Sequence, residues 1–235
     1  MLESGNNFAS LYKYFQDPES LKIFTSEEQH ALEAEKKKIE LKKGDFILEE
    51  GHPSNGVYLI TQGTAKLFKV GFTGKEQILR FLKKGDLIGY RSILSGEPFG
   101  ATATALEPME LDFIPERFFL KMLEQNPKMS FDMLKIISKQ LGDAADTITI
   151  LAQKTVRERL AEVLIMLEQT LGVDDQGFIR ISLTREEMAN LIGTATESAI
   201  RLISEFKTDK LIEVDARKIK ILEHQKIRKL GHVDA

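Results

Sequence analysis

The stretch Asn126–Lys154, NPKMSFDMLKIISKQLGDAADTITILAQK, decides how the rest of the chain is read. Its apolar residues Leu134, Ile137, Leu141, Ala144, Ile148 and Leu151 recur in alternating steps of three and four, a spacing that keeps one seam of a helix facing a partner helix. Asn126 suits an N-cap and Pro127 a first helical turn, so the helix has a written start, and at 1.5 Å per residue it reaches roughly 40 Å. The seam predicts a dimer. Gly142 inside it is either a soft point or a place of close backbone approach. Before this helix the chain reads as strands, after it as helices, which gives an α+β protein in three parts: residues 1–125, 126–154 and 155–235.

Composition narrows the function classes. A net charge of -3 neither requires nor excludes a nucleic-acid partner. The absence of cysteine excludes disulfides, thiolate metal sites and cysteine-ligated iron–sulfur clusters. No apolar run approaches the roughly 20 residues that span a bilayer, and no basic segment precedes a hydrophobic one at the N-terminus, so a cytoplasmic protein without a membrane partner is expected. The four histidines, His30, His52, His224 and His232, lack metal-ligand spacing, and no glycine-rich phosphate loop with its lysine is present. No metal, no cofactor and no enzymatic activity are expected.

Residues 1 to about 38 read as helical. Leu11, Tyr14 and Phe15 share a face, and Thr25 with Glu28 forms a capping box before the charged run Glu33 to Lys38. From Ile39 to Pro115, short β-type runs alternate with glycine turns, most clearly Val57–Thr61, Thr64–Val70, Ile78–Leu82, Ala101–Leu106 and Met109–Ile114. Leu41-Lys42-Lys43-Gly44-Asp45-Phe46-Ile47 recurs as Leu82-Lys83-Lys84-Gly85-Asp86-Leu87-Ile88, as if two halves of a small antiparallel roll used one turn into a strand. Glu116 to Gln125 returns to helix, with Phe119, Met122 and Leu123 inward.

Beyond the long helix, Thr155 and Glu158 make a second capping box, opening a helix that stops at Gly172. This separate start is a candidate hinge. An acidic loop with Asp174, Asp175 and Gly177 leads to an expected strand, Phe178–Leu183. Thr184 with Glu187 and Thr194 with Glu197 read as two further capping boxes flanking Gly193, which predicts a helix-turn-helix whose second helix turns Ala199, Leu202, Ile203 and Phe206 inward. Leu211–Val214 and Ile219–Leu222, around Asp215 to Lys218, predict a β-hairpin wing, and a basic tail runs from Lys226 to Lys229.

At Thr184-Arg185-Glu186-Glu187-Met188-Ala189-Asn190-Leu191-Ile192-Gly193 and Glu197-Ser198-Ala199-Ile200-Arg201, the chain resembles the CRP/FNR superfamily of bacterial transcription regulators. Gly44-Asp45, Gly51-His52-Pro53, Gly63 and Gly85-Asp86 are similar to the glycine framework of that family's cyclic-nucleotide-binding-type β-roll. The resemblance covers nearly the whole chain in the family's order. It implies a jelly-roll-like sensor, a dimerisation helix and a winged helix-turn-helix, a homodimer on a palindromic double-stranded DNA site near promoters, RNA polymerase as a partner, and a small-molecule effector.

A dimer of this kind presents its two second helices to major grooves about 34 Å apart. Glu197 and Arg201 lie four apart near the start of that helix; arginine can donate twice to guanine, and glutamate accepts from cytosine N4. The competing reading is ordinary: Glu197 completes a cap and pairs with Arg201 at i, i+4. Thr184, Thr194, Arg185, Thr196 and Ser198 are candidates for phosphate or neighbouring-base contacts. Residues from Lys154 on hold 14 basic and 14 acidic side chains, so binding rests on a local patch, with Arg217, Lys218 and Lys220 on the wing.

In cAMP-binding relatives the phosphate cassette carries a glutamate directly after the glycine corresponding to Gly89 and an arginine-serine pair about ten residues later. Here Tyr90 follows that glycine, and Phe99-Gly100 align with the pair. A buried cyclic phosphate needs a cation or several donors, and phenylalanine supplies neither. Arg91, read as a strand neighbour facing the other side, is a poor substitute. The unidentified effector is therefore expected not to be cAMP. Gly89, Tyr90, Arg91, Phe99, Gly100 and Thr102 either shape a more apolar pocket or fill the core. A cyclic-nucleotide-dependent regulator of the same family and, remotely, a cupin-like β-roll enzyme are the alternatives; the second lacks a ligand set, since only His52 falls in the roll.

Overall fold

The computed structural model describes residues 11, 14, 15, 21, 22 and 24–233, so most of the expected N-terminal helical stretch lies outside the described residues. The chain divides into two compact units that part within the long helix, at Gln140 and Leu141, the second also taking in Gly71–Ile78.

In the first unit, α1 (Ser26–Glu35) is started by the expected box: the Thr25 hydroxyl accepts from the Glu28 amide at 3.3 Å, and the Glu28 carboxylate accepts from the Thr25 amide at 2.8 Å. The helix ends at Glu35 rather than near residue 38. Lys37–Leu41 forms β1, with Ile39 opposite Leu111, because pairing with a neighbouring strand overrides the helix preference of lysine. Seven further strands follow: β2 (Phe46–Leu48), β3 (Gly56–Gln62), β4 (Thr64–Val70), β5 (Glu76–Lys83), β6 (Leu87–Ile88), β7 (Thr102–Ala105) and β8 (Met109–Pro115). They make two four-stranded sheets, ordered β1-β8-β3-β6 and β2-β7-β4-β5.

The repeated heptapeptide builds one turn twice. The Lys42 amide donates to Asp45 Oδ2 at 2.8 Å and the Lys83 amide to Asp86 Oδ2 at 2.9 Å, with Gly44 and Gly85 at φ +92° and +90°, where a side chain would be strained. Each turn delivers the chain into a short strand, β2 or β6.

Side-chain alternation along β3 assigns its two faces. Ile60 joins Ile47, Ala103, Ala105, Met109 and Leu111 in the core between the sheets. Val57 and Leu59 meet a second cluster with Phe118, Phe119 and Met122 of α3 (Glu116–Gln125) and Met129, Met133 and Ile136 of α4 (Pro127–Gln153). A six-residue helix, α2 (Tyr90–Ser95), follows Gly89, so Tyr90 and Arg91 stand on helical backbone and the strand argument against Arg91 does not hold.

Helix α4 begins as the sequence predicts, the Asn126 side-chain oxygen accepting from the Met129 amide at 3.0 Å. Its buried residues are Met129, Met133 and Ile136; Leu134, Ile137, Leu141, Ala144, Ile148 and Leu151 all stand exposed.

The second unit is built on α5 (Val156–Leu171), buried along most of its middle from Leu160 to Leu167. The Thr155–Glu158 box starts it and Gly172, at φ +73°, ends it. Against it pack α6 (Arg185–Ile192), α7 (Thr196–Thr208) and α8 (His224–Leu230), with the two-stranded wing β9 (Ile212–Asp215) and β10 (Lys218–Ile221). Two expectations need correction. Phe178–Leu183 is not a strand: it carries a single bridge, Val173 to Ile179, and its apolar content serves burial of Phe178, Ile179 and Leu183. Lys226 to Lys229 is not a tail but part of α8, held down by buried Ile227.

Candidate nucleic-acid interface

The two-helix element is set by backbone chemistry at its turn. The Thr184 hydroxyl accepts from the Glu187 amide at 3.0 Å while Glu187 accepts from the Thr184 amide at 2.8 Å, which fixes the start of α6. Gly193, at φ +65°, closes that helix, and the Thr194 amide donates back to the Ala189 carbonyl at 3.0 Å. The fourth capping box is absent. Ala195 is the N-cap of α7, so neither Thr194 nor any other side chain caps the helix. The turn consumes Thr194, and burial of Ala199, Leu202, Ile203 and Phe206 sets the phase of α7 one residue later.

Arg159 locks this turn, and no spacing rule pointed to it. From α5 its Nε donates to the Ile192 carbonyl at 2.7 Å and its Nη2 to the Gly193 carbonyl at 3.2 Å, while Nη1 donates to the Lys154 carbonyl at 2.7 Å. One guanidinium thus meets carbonyls at the ends of both α4 and α6, where a helix leaves its last carbonyls without intrahelical partners.

With its apolar side buried, α7 presents Glu197, Ile200, Arg201 and Ser204 to solvent, with Thr196 and Ser198 half-buried beside them. Glu197 and Arg201 do share the exposed face, but they do not pair. Arg201 Nη1 donates to Glu205 Oε1 at 2.8 Å instead. Glu205 is held from its other side by Arg157 of α5, whose Nη1 donates to Glu205 Oε2 and Nη2 to Asp209 Oδ2, both at 2.9 Å. Arg157 also lies over the Phe206 ring, 4.9 Å from its centroid.

The wing brings a second group of cations alongside. Arg185, the first residue of α6, donates from Nη2 to the Ala216 carbonyl in the wing turn at 3.0 Å, and its Nη1 is buried without a partner. Burial, then the nearby charge of Arg217, lowers Arg185 below the usual arginine range. Arg217 stands exposed beside it, so positive charge is open to a phosphate at this edge of the wing. Lys218 is already engaged, its ammonium 3.1 Å from Asp174 Oδ2, and that bond holds Asp174 below the usual carboxylate range. Arg185 and Arg217 are therefore the stronger phosphate candidates.

The residues proposed for a sensor pocket each have surroundings of their own. Tyr90 belongs to the cluster under α3 and α4, where burial raises its hydroxyl pKa and the hydroxyl donates to the Gln140 side chain. Phe99 fills the core between the sheets. The Arg91 guanidinium lies beside Gly100, 4.0 Å from Glu97 and largely exposed. Thr102 is buried and accepts from the Glu50 amide at 3.1 Å. Among the described residues, no helix is long and apolar enough to cross a membrane.

Comparison with known proteins covers both halves. Residues 38–126 match the family of the cyclic nucleotide-binding domain, and residues 158–230 match the family of the Crp-like helix-turn-helix domain. The chain is 30% identical over 186 residues to the transcriptional activator protein anr of Pseudomonas aeruginosa, spanning 78% of this chain and 75% of that protein. It is 29% identical over 201 residues to the fumarate and nitrate reduction regulatory protein of Vibrio cholerae, spanning 84% and 79%. Among solved structures, FixK2 from Bradyrhizobium japonicum superposes with a TM-score of 0.74 at 21% identity, covering 85% of this chain and 99% of that one, a likeness of fold.

Proposed function

This chain belongs to the CRP/FNR superfamily of transcription regulators, and from that premise we propose that it binds a palindromic DNA site as a homodimer and answers to an effector other than cAMP. The observation that carries the DNA-reading part is the division of α7. Its apolar side is buried while Glu197 and Arg201 stand free of one another on the outer face, open to base edges. Arg185 and Arg217 beside it supply phosphate contacts that set register without reading sequence. Arg201→Ala tests this. It lowers discrimination at one symmetric base-pair position by roughly 1–3 kcal/mol in a salt-controlled binding assay. A uniform loss across all sequences counts against it.

Dimerisation rests on the exposed row Leu134, Ile137, Leu141, Ala144, Ile148 and Leu151 of α4, an apolar face that a second α4 would cover. Sensing rests on the roll. Tyr90 is committed to Gln140, Phe99 to the core, and Arg91 stands at the surface, an arrangement short of the buried cation that a cyclic phosphate needs. Titration calorimetry with cAMP and cGMP is expected to give no heat of tight binding. The protein is taken to work in the cytoplasm and to meet RNA polymerase at promoters.

A further inference from the structure

We infer that Glu205, clamped by Arg157, is a positioning residue that sets the sequence preference of Arg201, an inference that rests on the reading of Arg201 as a base contact. Each Glu205 oxygen takes a different guanidinium, Oε2 from Arg157 and Oε1 from Arg201, at 2.9 and 2.8 Å. Arg157 is itself fixed by Asp209 at 2.9 Å and by the Phe206 ring, so the carboxylate cannot turn to follow Arg201. Arg201 is mostly exposed and would otherwise sample many rotamers; with one Nη held, its remaining donors point in a restricted direction. An arginine ordered before DNA arrives loses less entropy on forming a two-bond contact with guanine, so the gain falls on the matched base alone.

The same carboxylate carries a cost that separates this role from a structural one. Glu205 sits on the helix face offered to a polyanion, so its charge opposes binding to every sequence alike. Neutralising it should move the two quantities in opposite directions: tighter binding to random sequence, weaker preference at one base pair.

The test uses the full chain, the duplex the wild type selects from a random pool, every single-base-pair variant of that duplex, and an unselected duplex, all at one salt concentration. Glu205→Gln is expected to reduce preference at the Arg201-dependent position about fivefold, part of what a bidentate contact supplies, while affinity for the unselected duplex rises and thermal stability holds. Arg157→Gln, which loosens the carboxylate while leaving every residue of α7 in place, should give a smaller loss at the same position. If Arg201→Ala abolishes preference at one position and neither Glu205→Gln nor Arg157→Gln alters it, the clamp has no positioning role. If Glu205→Gln weakens all duplexes together with thermal stability, the effect is on folding and the inference fails. If Arg201→Ala changes no position, the base-reading assignment falls first and this inference with it.

Discussion

The Lys154 ammonium donates to the buried carboxylate of Glu162 at 2.9 Å and to the Gly231 carbonyl at 2.7 Å, so one side chain ties the residue after α4 to the middle of α5 and the end of α8. Glu162 is 6% exposed, and a lone carboxylate there would stand desolvated. Lys154→Met is expected to destabilise the second unit by about 3 kcal/mol, because breaking a buried pair leaves one charge uncompensated. Lys154→Met with Glu162→Leu should recover most of that loss. Denaturant titration of both variants decides it: equal instability would assign the cost to lost packing.

Thr184 and Thr194 precede glutamates at the same spacing, yet only Thr184 caps a helix. Thr184→Ala should cost about 1 kcal/mol, the usual loss for removing an N-cap hydroxyl. Thr194→Ala should cost no more than a few tenths, because its hydroxyl caps nothing. Thermal melts of the two variants measure the difference, and a comparable loss at both positions would show that Thr194 has another structural role.

That pair also marks how far the sequence could be read. Local rules held where one short-range interaction decides: Asn126 at its cap, the boxes at Thr25 and Thr155, and the twin turns at Asp45 and Asp86 all form as their spacing implies. They failed where long-range packing chooses between local options. The phase of α7 follows its buried side and not its best cap; Phe178–Leu183 is apolar because it is covered, with a bridge only at Ile179. At the candidate interface, Arg201 has a glutamate four residues away on each side, at Glu197 and Glu205. Helix preference favours the glutamate on the N-terminal side. Arg157 reverses the choice by fixing Glu205 from α5, and the sequence does not announce a partner 48 residues away. Arg159, which holds the turn through carbonyls alone, is invisible for the same reason.

Leu141 is 74% exposed, whereas Met133, about two turns earlier in the same helix, is buried with Phe119 of α3. Leu141→Asp is therefore expected to leave secondary structure intact while halving the mass measured by light scattering and abolishing tight binding to a palindrome. Met133→Asp should unfold the roll by placing a charge among Met129, Ile136 and Phe119. A dimer that survives Leu141→Asp would move the interface off this row.

Glu158 accepts from the Thr155 amide at 2.7 Å and the Thr155 hydroxyl at 2.8 Å, with His232 Nε2 behind it at 3.1 Å. Those bonds, the backbone one foremost, hold its pKa at about 2, below the usual 4.5. The folded value lies below the unfolded one, so the stabilisation is complete above about pH 4.5 and is lost as pH falls towards 2. Glu28 at the head of α1 sits in the same kind of box, but there the Lys121 ammonium is the first cause of a pKa also near 2. Glu158→Gln should accordingly differ most from the wild type at neutral pH, with the gap in melting temperature closing through pH 4.5 and vanishing near 2. Because Glu158 opens the helix that follows the long α4, that loss should begin in the second unit and leave the roll to its own acid transition at Glu28. Melting curves that stay parallel from pH 7 to pH 2 would mean that the cap contributes through geometry and not through charge.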